Sequence, residues 1–166
     1  MKLRYWVLIF SVAVLATACM IFAFSAQDGP TSAQTSEGLA RLLLRWFRPD
    51  FDSLSASARN KLLADFHLKV RKAAHFTEFA LLGAFLHLLF DSLRLRRKTS
   101  LAWLAGTLYA CTDEWHQMYV GARGPAWPDV VIDSAGVLFG VLAVLLFLLV
   151  RRKRREKTAC NDNNDE

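Results

Sequence analysis

The chain has 166 residues, 54% hydrophobic and 22% charged, with a formal net charge of +6. Apolar and charged residues fall in separate blocks, which excludes an ordinary soluble core wrapped in a polar shell and points to one membrane domain. The basic residues cluster beside apolar runs and not in a stripe, and no nucleic-acid-binding motif accompanies them, so no nucleic-acid partner is expected.

In chain order, residues 5–24 (YWVLIFSVAVLATACMIFAF) form a first apolar run without a charge. A cleaved signal is the rival reading, since Lys2 and Arg4 resemble an n-region and Ala16, Thr17, Ala18 and Cys19 a loose lipobox. The run outlasts the usual h-region of about 7–15 residues and continues past Cys19, which favours a retained anchor. Next, Leu39, Leu42, Leu43, Trp46 and Phe47 recur at helical spacing with Arg41, Arg45 and Arg48 on the other flank. This pattern predicts an amphipathic helix lying flat at the membrane interface. After the breaker RPDFDS, Ser53 or Ser55 can cap another helix with Leu62, Leu63, Phe66 and Val70 as its apolar stripe, able to run straight into the second span.

Residues 73–90, 100–119 and 130–150 are further apolar runs. Each approaches the roughly 20 residues needed to cross about 30 Å of hydrocarbon, and a helix is the form in which a lone span satisfies its own backbone. The expected fold is all-α: a four-transmembrane-helix bundle with an extracytoplasmic amphipathic helical segment between spans one and two. The membrane domain would occupy residues 1–157, with 158–166 a disordered polar tail. Lys2 and Arg4, the cluster Arg94, Arg96, Arg97 and Lys98, and the cluster from Arg151 to Lys157 all fall on one side of such a bundle. That side is cytoplasmic, and both termini with it. Cys19, Cys111 and Cys160 are scattered and form neither a disulfide framework nor a metal-type pair.

On this topology the polar residues of four segments reach one depth on the extracytoplasmic side. Arg71, His75 and Glu78 share a helical face by their spacing of four and three, as do Asp129, Asp133, Gly136 and Gly140. Asp113 is in phase with His116 and Gln117, and Glu114 neighbours Gln117. Charges left in lipid cost a few kcal/mol each, so they should turn inward and meet. We read His75, Glu78, Asp113 and Glu114 as candidate catalytic groups, and Arg71, Lys72, Gln117, Arg123, Asp129 and Asp133 as candidate ligand-binding groups. The plainer readings are ion pairs such as Arg123 with Asp129 that stitch helices together, snorkelling of Arg71 and Lys72, and scaffold hydrogen bonds from Gln27, Gln117 and Asp129. His87 lies apart near the cytoplasmic end and reads as an interfacial side chain.

The segments FSAQDGPTS, RKAAHFTEFALLG and TDEWHQMYVGARGPAWPDVVIDSAGVLFG together resemble the VanZ-like family of small integral membrane proteins, over roughly residues 24–140. The family's motif positions fall on Ser25, Gln27, Ser32, Arg71, Lys72, His75, Glu78, Asp113, Glu114, Gln117, Arg123, Asp129, Asp133 and Gly136. Phe79 departs from the pattern, where the family often has Tyr, and His116 and Trp127 are less typical. The resemblance implies a multi-pass protein of the bacterial inner (cytoplasmic) membrane with a cell-envelope role, its named member being associated with resistance to the glycopeptide teicoplanin.

Three readings follow. The first is an envelope protein that binds or processes an anionic lipid-linked ligand at the outer leaflet. Arg71, Lys72 and Arg123 would hold phosphate, and the partners would be the bilayer and a lipid-linked phosphate or cell-wall intermediate. The second is a noncatalytic scaffold or interaction module. The third is a metal-dependent membrane enzyme, suggested by His75 with Glu78 and Asp113 with His116, each pair on one helical face. The common ExxH pairs are absent, so no metal ligand is assigned, no cofactor is identified, and catalysis stays open. Ion transport is disfavoured because the polar groups sit at one end of the bundle.

Overall fold

The computed structural model describes residues 2–27, 29–120 and 127–162. Five helices follow in order: α1 (Lys2–Ser25), α2 (Gly29–Phe47), α3 (Ala56–Ser92), α4 (Lys98–Val120) and α5 (Trp127–Asp162). A short 3₁₀ turn, Phe51–Ser53, separates α2 from α3, and the described residues contain no strand. The all-α expectation therefore holds.

Among the described residues, three stretches are long and apolar enough to cross a membrane: Leu3–Ser25, Ala56–Ser92 and Trp127–Lys157. The fourth expected span, α4, has 23 residues. Its polar end, with Thr112, Asp113, Glu114, His116 and Gln117, keeps it out of that class. The second span and the amphipathic helix before it prove to be one continuous helix of 37 residues, about 55 Å long and so well beyond the hydrocarbon thickness. Ser55 caps its start, its Oγ accepting from the Ala58 N–H at 3.3 Å.

The far end of α3 closes with paired backbone bonds, Arg94 N–H to Asp91 O at 2.9 Å and Leu95 N–H to Phe90 O at 3.0 Å. Arg94 takes a φ of 57° to make this turn, a left-handed position that glycine usually fills. Lys98 at the head of α4 then pairs with Asp91.

α3 and α5 form the most extensive contact, with α1 on α3 and α4 against α5. Gly83 of α3 and Gly136 and Gly140 of α5 line that contact: a Cβ on Gly136 would strike Phe76 O, and one on Gly140 would strike Ala80 O. Small residues here let two backbones meet. Around them Ile21, Phe79, Leu82, Leu86, Val137 and Val141 form the main core. A second core, of Ala40, Leu44, Phe51, Leu63 and Val70, holds α2 against the first half of α3. α4 is tied sideways by Tyr109 OH to Ala18 O at 2.7 Å and by Trp103 Nε1 to Ser134 Oγ at 3.2 Å.

The outside of this bundle is apolar: Leu8, Leu15, Leu104, Leu108, Leu146 and Phe147 are all exposed, while Ser25, Asp113, Gln117 and Asp133 are buried. That inversion of the soluble pattern is what a lipid solvent selects. One expectation needs correction. His87 is not interfacial: it is fully enclosed, and neither ring nitrogen has a partner. α5 continues as a helix to Asp162.

Candidate functional site

The inward polar groups are delivered by four helices. Ser25 ends α1, His75 lies midway along α3, Asp113 and Gln117 occupy the last turns of α4, and Asp133 lies in the second turn of α5. The Asp113 carboxylate is the hub. Its Oδ2 accepts from Ser25 Oγ at 2.8 Å and from Gln117 Nε2 at 2.8 Å, and Gln117 Nε2 also lies 3.2 Å from Ser25 Oγ. All three residues are buried, so these bonds replace water that the site excludes. Ligand-type atoms of His75, Asp113 and Asp133 all lie within 4.8 Å of one another.

Above this cluster opens a cleft of about 120 Å³ lined by Leu68, Arg71, Lys72, His75, Gln117, Asp129, Ile132 and Asp133. Lys72 Nζ donates to Asp129 Oδ1 at 2.8 Å across the α3–α5 contact, with both side chains partly exposed. Arg71 has no ion-pair partner among the described residues. The cleft mouth thus holds a paired cation and an unpaired one, above two buried carboxylates.

The structure therefore brings together Arg71, Lys72, His75, Asp113, Gln117, Asp129 and Asp133. The other two candidate acids do not line this cleft. Glu78 faces a neighbouring groove of about 220 Å³ between α1, α2 and α3, which shares Arg71 and His75 with the cleft and adds Gln27, Ser32 and Ser36. Glu114 lines a third groove, with Cys111, Trp115, Met118, Trp127 and Val130. Arg123 lies outside the described residues. His116 turns toward α1, its ring stacked on Phe22 with centroids 4.6 Å apart.

Ser25 was not among the candidate catalytic or binding residues, although it is the one hydroxyl bonded to Asp113. The signal for it was its place as the first polar residue after a charge-free apolar run. Phe79, which lacks the expected hydroxyl, is fully buried and packs on the Tyr109 ring at 6.1 Å.

A family model described as VanZ/LLP1 matches residues 10–150, from within α1 to the middle of α5. No curated protein and no solved structure matches the chain.

Proposed function

Because the chain belongs to the VanZ/LLP1 family, we propose that it is a four-span cell-envelope protein of the bacterial cytoplasmic membrane that binds the phosphate of a lipid-linked ligand at the outer leaflet. The observation that carries this reading is Arg71, without an ion pair among the described residues, beside Lys72 at the mouth of a small cleft, above a hydrogen-bonded polar floor. Guanidinium and ammonium groups together suit a phosphate, the first by a fork of parallel donors and the second as a point charge. α4 supplies the fourth span, its polar end shielded by α1, α3 and α5. The basic runs at the N-terminus, between α3 and α4 and along the end of α5 support a cytoplasmic side for those ends and an outer side for the cleft. Lipid tails would lie along the apolar outer faces of the bundle. Glycopeptide resistance would then follow from altered handling of a lipid-linked cell-wall intermediate.

The direct test is titration of the detergent-purified chain with undecaprenyl phosphate, with undecaprenol as the uncharged control. The expected result is preference for the phosphate, with binding weakened about 10- to 100-fold by Arg71→Ala, the scale of a charge-assisted hydrogen bond. Equal binding of the two lipids, or an Arg71→Ala variant that binds like the unsubstituted chain, refutes it.

A second reading, a noncatalytic scaffold, is favoured by the Lys72–Asp129 bridge between α3 and α5. The exchange Lys72→Asp with Asp129→Lys separates the two. A scaffold keeps its function through the exchange, whereas a phosphate site loses affinity.

A further inference from the structure

The floor of the cleft has a chemistry that phosphate binding leaves unused. Asp133 is 3% exposed, lines the cleft, and has no hydrogen-bond or ion-pair partner among the described residues. His75 Nδ1 is buried and likewise without a hydrogen bond. Asp113 is held by Ser25 and Gln117 through a single oxygen, Oδ2. Two carboxylates and an imidazole thus converge from α5, α4 and α3, with atoms within 4.8 Å of one another. Neither carboxylate forms an ion pair with Arg71, Lys72 or any other described cation. Two buried carboxylates of like charge at this range are unfavourable unless something positive stands between them.

We infer that His75, Asp113 and Asp133 are the ligands of a divalent transition-metal ion, zinc or manganese, bound at the floor of the cleft. One imidazole nitrogen and two carboxylate oxygens form a donor set that suits these ions. A divalent charge balances the two carboxylates when both are ionised. The bonds from Ser25 and Gln117 to Asp113 Oδ2 are the outer-shell contacts that fix a ligand carboxylate and leave Oδ1 for the ion. Bonds of about 2.0–2.2 Å put tetrahedral ligand atoms about 3.4 Å apart, so closing the present spacing is a matter of side-chain adjustment. Three protein ligands would leave a further position open to water or an anionic oxygen. The helix-borne pairs His75 with Glu78 and Asp113 with His116 are not the ligand set, because Glu78 faces the neighbouring groove and His116 stacks on Phe22.

The site goes beyond the phosphate reading and does not depend on it. The experiment is elemental analysis of the full chain purified in detergent without chelator, then stripping and titration with zinc and with manganese, followed by calorimetry and thermal unfolding. A stoichiometric metal and a raised melting temperature on reloading are expected. His75→Ala and Asp133→Asn should each weaken binding by about 10-fold or more, while Glu78→Gln and His116→Asn leave it within about 3-fold. If no metal is retained and neither ion binds or shifts the melting temperature of the unsubstituted chain, the inference is overturned, whatever the variants do. Binding that survives both His75→Ala and Asp133→Asn overturns it equally. Undecaprenyl phosphate titrated into the stripped and reloaded forms keeps the two proposals apart, since metal binding without lipid binding sinks only the phosphate reading.

Discussion

Substituting Gly136 with alanine tests both the packing of the bundle and the placement of its site. A Cβ on Gly136 would collide with Phe76 O, with Phe76 C and Cα at 3.2 Å, whereas ordinary contact begins at 3.4 Å. On Gly140 it would collide with Ala80 O and lie 3.0 Å from Ala84 N. These are backbone atoms of α3, which cannot swing aside as a side-chain tip can, so α5 must move off α3 by several tenths of an ångström or more. Overpacking of this kind costs about 1–3 kcal/mol, and alanine returns at most about 1 kcal/mol through helix propensity. The net loss should be about 1–2 kcal/mol, a drop of roughly 2–8 °C in melting temperature for a chain of this size. Gly38 supplies the control of opposite sign. It lies exposed inside α2 with nothing within 4 Å of its Cβ position, so Gly38→Ala should stabilise the chain by up to about 1 kcal/mol. Thermal unfolding in one detergent, read by circular dichroism, measures all three variants. If Gly136→Ala and Gly140→Ala melt no lower than the unsubstituted chain, the α3–α5 contact is not as close as described. Because Asp133 lies one turn before Gly136 on the same face of α5, Gly136→Ala should also weaken metal binding.

Two further substitutions address local anomalies. His87 is enclosed with both ring nitrogens unpaired, so His87→Leu should raise stability by about 1 kcal/mol or more by removing unsatisfied polar atoms; an unchanged or lower melting temperature speaks against that burial. Arg94 holds a left-handed conformation at the turn into α4, and Arg94→Gly should relieve about 1 kcal/mol of backbone strain, which the same unfolding measurement would detect.

The helices were legible in the sequence because apolar run length and helical periodicity are local properties. The continuity of α3 was legible only as an option. Its first half is amphipathic and packs on α2, its second half is apolar, and nothing between Val70 and Ala73 breaks the helix. The inward turn of His75, Asp113, Gln117 and Asp133 followed from the cost of leaving them in lipid. What helical phase could not supply is which neighbour a given azimuth meets. Glu78 does share a face with Arg71 and His75, yet the face is wide enough that Glu78 reaches the groove bounded by α1 and α2. Glu114 and Asp113 are adjacent in sequence, about 100° apart around α4, so only one of them can face the bundle centre. The buried one is Asp113.

The proximity of the glycines to the polar cluster has a physical reason. Buried carboxylates can be held near one another only where their helices are too close for lipid chains to enter and the backbone is too rigid to splay under repulsion. Gly83, Gly136 and Gly140 bring α3, which carries His75, close to α5, Gly106 lets α4 close on the Val137 side chain, and Val137, wholly enclosed beside Gly136, fills the space one turn inward of Asp133. Hydrogen bonds from α1 and from within α4 then fix Asp113 opposite. The separation of His75 on α3 from Asp133 on α5 is set by main-chain packing, and a cation that fits between them is selected by that spacing. Widening the spacing with Gly136→Ala should therefore reduce affinity more for zinc, with its shorter preferred bonds, than for a larger ion such as calcium. Equal losses for both ions in parallel titrations would show that charge alone, and not helix spacing, governs binding.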